Sequence, residues 1–286
     1  MRLMRITAAL GVAALALAGC EDITNPVEEF GRLEDPYVRF ETSGTTGTPG
    51  STNLVIFQLP TRLEDTVDIS FSFGGDAVFG TDFVVVDEAG NPRTDVNASG
   101  GSAVIPFVAG QTTIPRDTLI IFVPFAANDG RKLEIVIESA VTRSGRELET
   151  GFVDQFRTFD LSIEGFVDMP IGTYAAARDG DFGTATGTVT ITKPATPPVV
   201  DGVSYDFVIS DVQGNPSGIF GVPVPWAFSV TSGGTVVAPR LDVDGLGVTA
   251  DVVGTFDFDT NTLSYELVLD CCGAAGFGWT VEAVLQ

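Results

Sequence analysis

Apolar and polar residues alternate one by one along much of this chain. In "DTVDISFSF", Val67, Ile69, Phe71 and Phe73 fall on one side while Asp68, Ser70 and Ser72 fall on the other. Leu133, Ile135 and Ile137 repeat the pattern, as do Phe159, Leu161 and Ile163. Successive strand side chains point to opposite faces, so period two marks strands with one buried face. No sustained helical period appears. Between the alternating segments lie "SGTTGTPGS" (43–51), "EAGNPRTD" (88–95) and "NASGG" (97–101), which read as turns.

A second block of alternation begins near Val167, with "GTVTIT", "SYDFVISD", "WAFSV", "GTFDF", "LSYELVL" and "WTVEAVL". "DTNT" at 259–262 reads as a tight hairpin, and "TKPATPPVVDG" at 192–202 as a loop, because proline cannot donate to a ladder. Short strands separated by turns predict an all-β fold of two antiparallel β-sandwich domains, 36–166 and 167–286. Each is long enough to bury a core of its own.

The first 35 residues are of another kind. Arg2 and Arg5 precede an uncharged, mostly apolar run over 6–17, followed by small residues. A transmembrane helix needs roughly 20 apolar residues, and this run is shorter. Its shape is that of a secretory signal, so residues 1–19 are expected to be removed. Leu17-Ala18-Gly19-Cys20 resembles the lipobox of bacterial lipoproteins, and the resemblance implies that Cys20 carries the lipid. Each buried methylene is worth about 0.8 kcal/mol, so the acyl chains implied here would hold the protein firmly at a membrane. The segment 21–35, "EDITNPVEEFGRLED", reads as an acidic tether with a mean span of about 20 Å if flexible. The expected location is the bacterial cell envelope, at the outer membrane or the cell surface.

Charge and missing residue types narrow the function. The full chain has 15 basic and 38 acidic residues, net −23; without Arg2 and Arg5 the balance is 13 against 38, net −25. Such a field repels nucleic acid, so no nucleic-acid partner is expected. There is no histidine, which removes Ser-His-Asp and Cys-His catalysis and His-ligated zinc. No acidic motif marks a carboxylate pair, so the chain is expected not to be an enzyme.

The ordered segments "VRFETS", "DISFSFGGDAVFGTDFVVV", "AVIPFVAGQTTIPRDTLIIFVPF" and "NDGRKLEIVIESA" resemble a Calx-beta domain over about residues 36–166. The resemblance implies an immunoglobulin-like sandwich whose acidic loops can hold calcium. Carried over by position, the metal candidates are Glu41, Asp82, Asn128 and Asp129. The glutamate expected next is replaced by Arg131-Lys132, and calcium wants six to eight oxygens. Asp82 therefore reads better as a turn residue, and Asn128-Asp129-Gly130 as a hairpin turn. No cofactor other than calcium is implied.

Three other features stand out. Trp226, in "VPVPWAFSV", is the best candidate for an exposed ligand-binding aromatic, although it shares a strand face with Phe228 and Val230, as a core residue would. Cys271 and Cys272 are adjacent, so a disulfide between them needs a strained ring. "RLDVDGLGVTAD" at 240–251 matches part of an EF-hand loop, but Arg240 occupies the first ligand position. Together these readings describe a membrane-anchored envelope lipoprotein acting as a non-enzymatic adhesion or ligand-binding module for a protein or polysaccharide. The alternatives are a calcium-binding Calx-beta module and a carbohydrate-binding accessory protein of an envelope transport system.

Overall fold

The computed structural model describes residues 36–61, 63–151, 156–214, 221–243, 248–270 and 276–286. It is an all-β protein. The first unit contains β1 (Tyr37–Phe40), β2 (Gly44–Gly47), β3 (Thr52–Gln58), β4 (Val67–Gly75), β5 (Val84–Val86), β6 (Gly100–Ile105), β7 (Arg116–Phe122), β8 (Arg131–Thr142), β9 (Glu147–Thr150) and β10 (Thr158–Ile163). One sheet runs β1-β3-β7-β5 and the other β6-β4-β8-β10-β2. β9 pairs with β8 on one side and runs parallel to β1 on the other, joining the two sheets along one edge.

The period-two positions are the core positions. Val67, Ile69 and Phe71 are buried while Asp68 and Ser70 are exposed, and Leu133, Ile135 and Ile137 are fully buried. Aromatic rings tie the sheets together: Phe57 lies 5.6 Å from Phe71, and Phe40 lies 5.8 Å from Phe159. Spacings of this kind suit tilted aromatic pairs, each adding about 0.5–1.5 kcal/mol to simple burial.

One expected turn is a strand. "GTTG" within 43–51 forms β2, which lies parallel to β10 with Gly44 opposite Asp160. A Cβ on Gly44 would stand 2.5 Å from the Asp160 carbonyl oxygen. Glycine is there because the two backbones touch, not because the chain turns.

The second unit contains β11 (Phe166–Val167), β12 (Gly172–Gly180), β13 (Ala185–Thr192), β14 (Val199–Val200), β15 (Val203–Ser204), β16 (Phe207–Ile209), β17 (Trp226–Thr231), β18 (Thr235–Val237), β19 (Leu241–Val243), β20 (Val248–Asp257), β21 (Thr262–Leu269) and β22 (Gly278–Leu285). Its ladder closes on itself. β12, β13, β16, β17, β18, β20, β21 and β22 pair in that order, and β22 returns to β12, every pair antiparallel. Eight strands closed in this way form a meandering barrel, to which β11 and β19 add one pairing each, with β17 and β20. The hairpin β20–β21 turns through Asp257–Thr262, where Asn261 adopts φ +52° and the Asp257 carboxylate accepts the Asp259 and Thr260 amides.

An eight-stranded barrel has an interior just wide enough for side chains. Here Tyr174, Phe207, Phe228, Leu263, Leu267 and Trp279 fill it. The outer face carries Thr186, Thr188 and Thr190 on β13, Asp179 on β12, and Glu266 and Glu282 on β21 and β22. A transmembrane barrel has the reverse arrangement, apolar outside and polar within.

Candidate functional site

The residues implied as calcium ligands stand near the end of the sandwich that leads into the barrel, but they are committed to other partners. Asp82 is fully buried, just before β5. Its Oδ1 accepts the Asn128 amide at 2.9 Å and the Asn128 side chain at 2.6 Å, while Oδ2 accepts the Val78 amide at 2.8 Å. Desolvation favours the neutral acid, yet these bonds to the carboxylate outweigh it and hold its pKa below the usual aspartate value. Asp82 thus closes its own turn and fastens it to the 124–130 loop.

Asp129 turns the other way. Its Oδ1 accepts the Gly165 amide at 2.8 Å and a short hydrogen bond from the Ser232 hydroxyl. The Ser232 amide donates to the Gly165 carbonyl, and Thr231 donates to the Glu164 carboxylate at 2.8 Å. A Cβ on Gly165 would lie 2.4 Å from the Asp129 nitrogen, so only glycine lets the linker run this close. The position implied as a metal ligand therefore belongs to the joint between sandwich and barrel. Glu41 is exposed and follows β1. Among the described residues, no three His, Cys, Asp or Glu groups gather as a metal site.

Trp226 is a core residue, as the face it shares with Phe228 and Val230 favoured, and is not available as a ligand aromatic. It is 2% exposed, stacks on Phe228 at 5.5 Å and lies 5.9 Å from Tyr265. Its Nε1 donates to the Pro239 carbonyl at 3.2 Å, which satisfies the one polar group the ring brings inside. Arg240, in the segment resembling an EF-hand, pairs instead with Asp251 and Asp270. Cys20, Cys271 and Cys272 lie outside the described residues.

Sequence reasoning missed the inside and the outside of the barrel alike. Inside, residues 211–214 fold against the inward-facing side chains: Asp211, Val212 and Gln213 are buried, and a Cβ on Gly214 would touch Val281 and Ala176. The Tyr265 hydroxyl donates to the Val212 carbonyl at 2.8 Å, and burial together with the Asp211 charge pushes this phenol well above its ordinary pKa. Arg178 points inward from β12 and is 8% exposed, with Nε and Nη1 buried and unpartnered. Buried guanidinium donors without partners are costly. Arg178→Met, which keeps the length and removes the charge, is expected to stabilise the barrel by about 1–3 kcal/mol in denaturant unfolding. A loss of stability would show that the guanidinium is held by something that pays for its burial.

Outside, the sheet β13-β12-β22-β21-β20 bears an open trough of about 640 Å³, lined among others by Ala177, Thr186, Thr255, Ser264 and Glu282. A smaller hollow of about 300 Å³ continues it past Asp179, Asp181, Glu266 and Thr280. Across the trough the row runs Thr186, Ala177, Glu282, Ser264, Thr255, so the small Ala177 and Ser264 flank the longer Glu282. At the same end of the barrel Phe182 and Phe277 are exposed, with ring centroids 6.1 Å apart, and Phe182 stands edge-on to Trp279 at 5.7 Å. Phe182 and Phe277 thus stand, in the turns that flank β12 and β22, beside a groove that offers hydrogen-bonding groups. Only the closed barrel reveals which faces point outward.

No family model matches the chain, and no curated protein matches it. Among solved structures, a chain of a type I cohesin–dockerin complex from Clostridium thermocellum overlaps 44% of this chain and 99% of its own length. Identity over that overlap is 12% and the TM-score is 0.28.

Proposed function

We propose that this protein is a lipid-anchored lipoprotein of the bacterial cell envelope that acts as a non-enzymatic adhesion or ligand-binding module. The observation that carries the binding role is the trough on the outer face of the barrel. Its lining mixes apolar groups (Ala177, Ala185, Val253) with hydroxyls and carboxylates (Thr186, Thr255, Ser264, Glu282), with the exposed Phe182 and Phe277 nearby. Sugars present the same mixture in complement, with hydroxyls on their edges and C–H groups on their faces, so a polysaccharide is the ligand class that best fits this surface. The anchor rests on the lipobox-like Leu17-Ala18-Gly19-Cys20, and the absence of histidine from all 286 residues supports a non-catalytic role.

A glycan array probed with the full chain tests this reading. Binding to at least one polysaccharide class is expected. Ala177→Trp, which places a large ring in the trough beside Glu282, should weaken it by roughly tenfold or more, about 1.4 kcal/mol or more. Leu54→Trp, on an exposed position of the sandwich, should leave binding unchanged. Binding that survives Ala177→Trp, or no glycan binding at all, would overturn the assignment.

A further inference from the structure

The chain enters the sandwich at one end and leaves it at the other. Arg39 lies opposite Gln58, and Gln58 opposite Arg116, so residue 36, the β3–β4 loop and the β6–β7 loop meet at one end of the first sheet. Val67 lies opposite both Ile105 and Thr142, which places the β8–β9 turn at the same end of the second sheet. Hydrogen bonds knit these segments together: Leu59 N to the Pro115 carbonyl at 3.0 Å, Phe107 N to Thr66 Oγ1 at 3.1 Å, and Ser144 N to Asp65 Oδ2 at 3.0 Å. Ile163, Glu164 and the barrel lie at the opposite end.

The β6–β7 loop at the entry end is unusual for so acidic a protein. Residues 106–115, "PFVAGQTTIP", carry no charge. Phe107 is 41% exposed, Val108 51% and Ile114 53%, and 106–110 are all exposed. Arg116, Arg143 and Arg146 are exposed around the loop, with Glu64 and Asp65 on the neighbouring β3–β4 loop. Asp68, paired with Arg143, and Glu147 are exposed at the same end, so the uncharged loop projects from a rim of mixed charge on a strongly acidic body. One short uncharged loop thus exposes three large apolar side chains, the kind of surface that a membrane or another molecule can cover.

We infer that the β6–β7 loop docks on the lipid surface that holds the anchor, with Phe107, Val108 and Ile114 seated among the headgroups and upper acyl chains. This rests on the lipid-anchor reading. The argument for a membrane as the occupant is the length of the tether: only residues 20–35 separate the lipidated Cys20 from residue 36, and residue 36 enters at the end that bears this loop. A short tether keeps the loop at high effective concentration at the bilayer, so a small apolar contact suffices to orient the protein. The barrel and its trough then face away from the membrane.

The test uses the lipidated full chain reconstituted into phosphatidylethanolamine–phosphatidylglycerol vesicles, with or without bromine on the acyl chains. Val108→Trp places a reporter on the loop, Ile114→Trp a second, and Val253→Trp a control on the outer face of the barrel. Trp226 and Trp279 are buried in the barrel and give a constant background. Brominated lipid should lower the emission added at 108 and 114 by roughly half or more, as expected for side chains at the headgroup–acyl boundary, and leave that at 253 unchanged. Flotation with the vesicles but no quenching at 108 or 114 would overturn the docking while leaving the anchor intact. Failure to float would overturn the anchor, and the docking with it.

Discussion

Replacing Trp226 with alanine is expected to cost the barrel about 3–5 kcal/mol. The ring is 2% exposed and stands between Phe228 and Tyr265, on a strand that pairs with β16 and β18. Removing it opens a cavity that the closed ladder cannot easily collapse around, because moving β17 inward would break pairing on both sides. It also leaves the Pro239 carbonyl without the indole donor. Trp226→Phe should cost less, since most of the ring volume remains and the hydrogen bond is the main loss, about 1–2 kcal/mol. Differential scanning calorimetry checks both values. The sandwich and barrel have separate cores, so the barrel transition should move much further than that of the sandwich. A loss below about 1 kcal/mol for Trp226→Ala would mean that the ring contributes little to the core.

The strands were legible because their signal is local. The alternation in Val67-Ile69-Phe71 or Leu133-Ile135-Ile137 follows from two-sided strand geometry alone, and the burial follows it residue by residue. Closure of the barrel was not legible. It depends on the short β18 pairing with both β17 and β20, and three residues of Thr-Val-Val carry no mark of either partner. Gly44-Thr45-Thr46-Gly47 read as a turn because its composition is that of a turn, whereas its structure is set by β10, more than a hundred residues later. Trp226 and Phe228 shared a face in the sequence, but only the closed ladder decides that this face is the inner one. The joint was equally hidden. Asp129 meets Ser232 across 103 residues, and nothing near either residue announces the other.

Asp82→Ala is expected to destabilise the sandwich by about 2–4 kcal/mol at neutral pH, by removing hydrogen bonds to a charged acceptor and leaving buried donors without one. The Val78 amide and the amide and side chain of Asn128 lose their acceptor together, so the β4–β5 turn should detach from the 124–130 loop. The pH dependence gives a second readout. An aspartate in the unfolded chain titrates near about 3.9, and Asp82 in the folded protein titrates lower. The folded state therefore holds the ionised form preferentially, and the resulting stability is fully present above the unfolded pKa and lost as pH falls through the folded one. The gap between wild type and Asp82→Ala should be constant from about pH 7 to pH 5 and shrink below about pH 4. A gap that instead widened on acidification would mean that Asp82 is protonated in the native protein. Calcium separates this structural role from the metal role implied by the Calx-beta resemblance. A bound ion would raise the melting temperature through linkage, and Asp82→Ala would erase the rise. With its carboxylate already satisfied by Val78 and Asn128, and Asp129 drawn to Gly165 and Ser232, neither protein should gain stability in millimolar calcium. A saturable, calcium-dependent rise in wild type that disappears in Asp82→Ala would assign the carboxylate to an ion.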